Sequence, residues 1–329
     1  MKTNNVLKKA GLAATALMAA CIAIATSAAQ ESYPNRVIKI VVPFAAGTTA
    51  DVIPRLIGDK LTAKWGQPIV VENRPGATGN IGAEIVAKAA PDGYTLLATA
   101  APPLAINQSL DPDLKFDPGA FVPISLMTLV PNVLVVNPKL NVKTLQEFLA
   151  LAKSKPGILT YVSTGPGGTP TLAMELLKLK SGTNIRDIPY RQGTGPGLLD
   201  VLGGRIDAMF INVSEAMPHI KGGGVVALGI STDKRVAQLP DVPAIDEIFP
   251  GFYSSTWYAM MAPPKTPANI ASKLSAAVLE VLRMPDIVDK FTSQSMILIG
   301  ASQTETEQFI KKEVERWRDV IKAAGLKAN

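Results

Sequence analysis

Two stretches of this chain place glycines and free hydroxyls where an apolar run passes into an amphipathic one. The first reads Phe44, Ala45, Ala46, Gly47, Thr48, Thr49, Ala50, Asp51 after the apolar run 37–42. The second reads Ser163, Thr164, Gly165, Pro166, Gly167, Gly168, Thr169 after 159–162. A helix start leaves backbone N–H groups unpaired and carries the positive end of the helix dipole, so such a turn can cradle a carboxylate or a phosphate. Short glycine loops also serve as plain strand-to-helix connections. Three features favour a ligand here: hydroxyls beside the glycines in both loops, a place at the carboxyl end of a strand, where open α/β sheets bind ligands, and one loop heading each half of the chain. Each N–H or hydroxyl donated to a carboxylate contributes about 1.5–3 kcal/mol. Micromolar affinity needs only about 8 kcal/mol. Asp51 repels an anion and is expected to cap its helix or bond loop amides. Arg55 and Arg191 are candidates for neutralising ligand charge.

Catalytic side chains are scarce. The chain has one histidine and one cysteine, too few for a histidine-based triad or a zinc site. His219 follows Met217 and Pro218 and precedes Lys221 and three glycines. That context predicts a helix end, where imidazole favours the negative pole. The glycines do not spell a nucleotide site either. Gly76, Gly79 and Gly82 are evenly spaced, Pro170 stands where a third glycine would follow Gly165 and Gly167, and no Gly-Lys-Ser/Thr occurs, so neither a dinucleotide fingerprint nor a phosphate loop is matched. The 76–82 run reads as a turn that needs positive φ before a helix. No cofactor and no metal are expected.

The N-terminus carries Lys2, Lys8 and Lys9, an apolar run over 10–25, and then Ser27, Ala28, Ala29. This is the pattern of a cleaved secretory signal over residues 1–29, with an apolar run shorter than the roughly 20 residues of a spanning helix. Leu17, Met18, Ala19, Ala20 before Cys21 approximate a lipoprotein cleavage box, but apolar residues follow and a better ordinary site lies downstream, so lipid anchoring is the lesser alternative. Cleavage after Ala29 removes the one thiol and with it disulfide and thiolate chemistry. It also removes three lysines from a net charge of +6. No dense Lys/Arg run interleaved with aromatics remains, which argues against nucleic acid.

About 300 mature residues, nearly half apolar, suit two domains. Strands at 37–42, 68–72 and 94–99 alternate with helices at 50–64 and 80–90, and the pattern restarts with strands at 132–136, 159–162, 186–189 and 206–211 and helices at 144–153, 170–180 and 196–202. Such alternation predicts βαβ crossovers and largely parallel sheets. In the first helix Val52, Ile53, Leu56, Ile57 and Leu61 share a face, and Pro54 is placed in the first turn, where a missing N–H costs little. Two extended stretches, 125–138 and 252–263, are expected to cross between the domains as hinges. The chain then returns to the first domain for a helix at 267–283, a short strand near 296–299, and a last helix opened by Ser302 and Glu305 in capping-box spacing, with Trp317 in its apolar face.

Residues 44–55, then Val71, Glu72, Asn73, Arg74, Pro75, Gly76 with Asn80, Ile81, Gly82, then 91–96, resemble the periplasmic solute-binding receptors of tripartite tricarboxylate transporters, the Bug family. The likeness continues through 131–138, 163–172, 189–207, 239–243 and Trp317. It implies an α/β, two-lobed periplasmic-binding-protein type II fold joined by two crossing strands, with lobe 1 formed by 30–130 plus 254–329 and lobe 2 by 131–253. It further implies a monomer in the periplasm, without enzymatic activity, that takes a small organic carboxylate and delivers it to membrane permease subunits. An enzyme acting on an organic acid and a receptor feeding a sensor kinase are the alternatives. Carried onto this sequence, the ligand site comprises Phe44, Ala46, Gly47, Thr48, Thr49 and Asp51, then Ser163, Thr164, Gly167, Gly168 and Thr169, with Tyr190, Arg191 and Asn212. The chain departs from the family pattern at Thr48, Thr171 and Ile211, and Gln192 is an extra residue. Thr48 restricts φ where the family has glycine, and Ile211 removes a polar contact. The carboxylate anchor is therefore expected to be kept and the rest of the pocket altered.

Overall fold

Apolar runs rich in valine and isoleucine form the strands of a mixed sheet in the computed structural model, which describes residues 33–190 and 193–327. The expected signal segment with Cys21, and also Arg191 and Gln192, lie outside the described residues. The first half contains β1 (Ile38–Val42), α1 (Thr49–Trp65), β2 (Ile69–Asn73), α2 (Asn80–Ala87), β3 (Thr95–Ala100) and the short α3 (Asn107–Leu110). β1 runs parallel to both β2 and β3. After β4 (Val122–Val136) come α4 (Leu145–Ser154), β5 (Thr160–Ser163), α5 (Thr169–Ser181), β6 (Arg186–Pro189), α6 (Thr194–Gly203), β7 (Ala208–Asn212), α7 (Val213–Lys221) and β8 (Val226–Ile230). The chain closes with β9 (Ser255–Ala262), α8 (Ala268–Leu282), α9 (Pro285–Ser293), β10 (Ile297–Leu298) and α10 (Gln303–Ala324).

The expected crossing segments become one long antiparallel pair. β4 and β9 pair from Val122 opposite Ala262 to Pro131 opposite Ser255, with register shifts between Pro123 and Ser125 and between Leu126 and Thr128. β4 then runs on alone, and its residues from Asn132 to Val136 lie between β7 and β8. The resulting strand order is β2-β1-β3-β9-β4-β7-β5-β6, so one strand belongs to both halves. The second passage is narrower than expected. It runs through Ser254, whose N–H bonds Ser231 O at 2.8 Å, while Ser231 Oγ accepts Asn132 N–H at 3.0 Å. Each half-sheet is covered by apolar side chains on both faces: Ile40, Ile53 and Val278 lie on one side of the first, Val41, Leu97 and Trp317 on the other. Leu134, Phe148 and Phe210 and then Val133, Val201 and Ile211 do the same for the second.

Helix α1 buries Ile53, Ile57 and Leu61 at four-residue intervals, as its sequence requires. It begins at Thr49, so Pro54 is its sixth residue and not in the first turn as expected. Three elements were absent from the sequence reading: α3; β8; and α9, separated from α8 by only Arg283 and Met284, while of α7, which carries Pro218 and starts directly at the end of β7, only the end was expected. His219 occupies the last turn of α7, the helix end expected for it. The capping box of α10 is present, with Glu305 N–H on Ser302 Oγ at 3.3 Å and Ser302 N–H on Glu305 Oε2 at 2.8 Å.

Candidate functional site

The first loop is held by the carboxylate that seemed out of place in it. Asp51 Oδ2 accepts Gly47 N–H at 2.9 Å, Oδ1 accepts Asn73 Nδ2 at 2.9 Å, and Arg55 Nε lies 3.0 Å from both oxygens. Asn73 also donates to Phe44 O at 3.1 Å and accepts from Arg55 Nη2 at 2.9 Å. Arg55 is thus committed to Asp51 and Asn73, and it does not face a ligand as expected. Gly47 has φ +80°, a left-handed conformation that favours glycine. Thr48, by contrast, sits at φ −76°, so its departure from the family pattern costs no backbone strain. With Thr48 Oγ1 donating to Ala45 O at 2.7 Å, the amides of Thr49 and Ala50 are left open at the helix start.

Asp51 is buried, 3 % exposed. Burial pushes its carboxyl upward, but the bonds from Arg55, from Gly47 N–H and from Asn73 overcome that and hold it at about 2, against an ordinary 3.8. A depressed folded-state value stabilises the fold above the unfolded value and loses that stabilisation as pH falls through the folded one. Asp51→Asn is therefore expected to cost about 2 kcal/mol at pH 7 and roughly half of that at pH 3. Urea denaturation of both proteins at the two pH values measures it, and an equal cost at both would show that the charge is not what stabilises the loop.

The second loop is closed differently. Thr164 N–H donates to Thr171 Oγ1 at 2.8 Å, and Gly165 N–H reaches Ser163 Oγ at 3.3 Å. Gly168 N–H turns back to Gly165 O at 3.0 Å. A Cβ on Gly168 would collide with Thr164 Oγ1, so this position needs glycine for close approach and not for its φ. The threonine at 171 thus supplies the hydroxyl that fastens the loop. What remains open is the start of α5, at Thr169.

Both helix starts border one cavity of about 470 Å³. Phe44, Thr48 and Thr49 line it from the first half, and Thr164, Gly168, Thr169 and Asn212 from the second. Ala46, Gly47, Asp51 and Tyr190 are not in its wall; Tyr190 gives its hydroxyl to Asp200. Ser163 and Gly167, with the other side of Thr164, border a neighbouring cavity of about 720 Å³ closed by Gly325, Leu326 and Lys327. The reason is strand alternation: Ser163 ends β5 pointing to the opposite side of the loop.

Several wall residues were not singled out from sequence. The 76–79 turn has φ +133° at Gly76 and +93° at Gly79, as read, yet it also forms a wall. Tyr258 and Thr256 project from β9, and Thr194 and Glu215 from the starts of α6 and α7. Tyr258 is buried, and its hydroxyl oxygen faces the side chains of Thr49 and Asn212, one from each half of the molecule, which act on it as donors. Burial first, and then the charge of Glu215, keep its proton on well above the ordinary phenol range, although those two hydrogen bonds act in the opposite sense. Tyr258 is accordingly a neutral donor at physiological pH. Thr256 Oγ1 extends the link at 3.4 Å both to Thr169 Oγ1 and to Asn132 Nδ2. Crossing strand β9 therefore reaches both helix starts.

Residues 53–326 match the family described as Tripartite tricarboxylate transporter family receptor (TctC). The chain is 37 % identical to protein BugT of Bordetella pertussis over 319 residues, 96 % of this chain and 98 % of that one. Among solved structures, Rpa4515 of R. palustris with adipate is 32 % identical, with a TM-score of 0.83 over 90 % of this chain and 100 % of the other. MatC of Rhodopseudomonas palustris with bound malate is also 32 % identical, with a TM-score of 0.79 over 88 % and 100 %. The likeness to these solved structures gives the chain the α/β periplasmic-binding-protein fold.

Proposed function

The chain belongs to the tripartite tricarboxylate transporter receptor family, the Bug receptors, and on that premise we propose that it is a periplasmic receptor that captures a small organic carboxylate and delivers it to permease subunits. The observation that carries this reading is the convergence of two helix N-termini, at Thr49 and Thr169, on one cavity. Open amides and the positive dipole ends favour an anion there. Tyr258 adds a neutral hydroxyl donor, and the family members solved with adipate and malate hold dicarboxylic acids. The site residues in this reading are Phe44, Thr48, Thr49, Thr164, Gly168, Thr169, Asn212 and Tyr258. Gly47 and Asp51 shape the first loop from behind.

Two lobes, 30–130 with 254–329 and 131–253, each contribute one helix start. A ligand that bonds both at once favours the conformation in which they are close, so capture and closure are a single equilibrium. The protein acts by binding and release, without turnover. Signal cleavage after Ala29 places it in the periplasm, where it functions as a monomer.

A thermal-denaturation screen of the mature protein against short carboxylic acids tests the reading. A true ligand at a hundred times its dissociation constant is expected to add about 2.7 kcal/mol to stability. Silence across mono-, di- and amino-substituted carboxylates at millimolar concentration, or the appearance of product from any of them, would remove it.

A further inference from the structure

The side of the cavity formed by Asn212 and Glu215 has the wrong polarity for a second carboxylate. Asn212 is more than nine-tenths buried, and its Oδ1 has no hydrogen-bond partner among the described residues. Its orientation is fixed, because Nδ2 donates to Glu215 Oε1 at 3.0 Å and a flipped amide would set two acceptors against each other. Glu215 Oε2 accepts Thr194 Oγ1 at 2.7 Å. Each carboxylate oxygen can accept more than one bond, so capacity remains on both. Among the described residues lining the cavity, Glu215 is the one carboxylate, and none is lysine, arginine or histidine.

A buried acceptor without a donor is costly unless a ligand supplies one. Beside it stands a negative charge in a partly dehydrated cleft, where like charge is repelled and opposite charge attracted more strongly than in water. We propose that the ligand carries one carboxylate for the helix starts and, at its other end, a protonated amine that donates to Asn212 Oδ1 and Glu215, making this receptor one for amino carboxylates and not for dicarboxylates. The proposal rests on the carboxylate-receptor reading and sets its ligand class.

Isothermal titration of the mature protein with ω-amino, ω-hydroxy and α,ω-dicarboxylic acids of three to six carbons tests it. At the best length, the amino acid is expected to bind at least tenfold more tightly than the dicarboxylate and than the hydroxy acid. Glu215→Gln, which preserves shape, keeps an acceptor for Thr194, removes the charge and lets the Asn212 amide turn its Nδ2 toward the cleft, is expected to lower amino carboxylate affinity at least tenfold and to raise that for the dicarboxylate. Equal or tighter dicarboxylate binding by the unaltered protein, a hydroxy acid within threefold of the amine, or an unchanged preference in Glu215→Gln would each overturn the proposal while leaving the carboxylate receptor intact. Failure of every acid in the series to bind would overturn the receptor reading and this inference with it.

Discussion

Replacing Glu313 by leucine is expected to lower the unfolding free energy by about 3–5 kcal/mol, the cost of leaving two buried donors unpaired at roughly 1–3 kcal/mol each. Glu313 is 1 % exposed, on α10. Its Oε2 accepts the indole N–H of Trp257 at 2.9 Å and that of Trp317 at 3.0 Å, and Oε1 pairs with Arg316 Nη1 at 2.8 Å. One carboxylate therefore ties the last helix to crossing strand β9. Leucine fills a similar volume, so the expected loss comes from chemistry: two fully buried indole donors are left without an acceptor. Arg316 keeps its stack 4.7 Å from the Tyr253 ring, but its buried Nη1 loses the Glu313 carboxylate as well. Glu313→Gln keeps an acceptor and is expected to lose less than half as much. Urea unfolding followed by tryptophan fluorescence reports both, and a leucine variant within about 1 kcal/mol of the parent would mean that the indoles do not depend on this carboxylate.

Trp317 illustrates what sequence periodicity conveys. Its spacing from Phe309, Ile310 and Val320 marks it as core, which it is, but nothing in that spacing announces the acid four residues before it as buried. The same limit shapes the site. The strand, loop and helix units were legible because hydrophobic period and glycine chemistry are local. The 125–138 and 252–263 stretches were legible as crossings because their β-branched and aromatic runs have no helical period. Ser163 and Thr169 look alike on paper, yet one end of the loop borders the larger cavity and the other the smaller, because Ser163 shares the Tyr161 face of β5. Glu215 reads as an ordinary acid in a first helical turn, and only the packing of α7 beside α6 and β9 brings it to Thr194, Asn212 and Tyr258. Of α7 only the end at His219 was legible, its start being hidden by the absence of any loop after β7.

Thr49→Phe is expected to weaken carboxylate binding by about a hundredfold or more while leaving the fold intact. Thr49 is the first residue of α1, half-exposed, and lines the cavity. A ring at this position extends into the cleft instead of the core, so packing loses little. It covers the open amides of Thr49 and Ala50 and removes the hydroxyl that meets Tyr258. Two lost bonds to a charged group, at about 1.5–3 kcal/mol each, correspond to roughly two to four powers of ten in affinity. Thr49→Ser keeps amides and hydroxyl and is expected to bind within a few fold of the parent. Ser163→Val alters a side chain bordering the other cavity and is expected to change affinity far less than Thr49→Phe. Titration calorimetry with the tightest acid from the screen ranks the three variants. Binding by Thr49→Phe within threefold of the parent would take the anchor away from α1, and a larger loss in Ser163→Val would move the ligand to the neighbouring cavity.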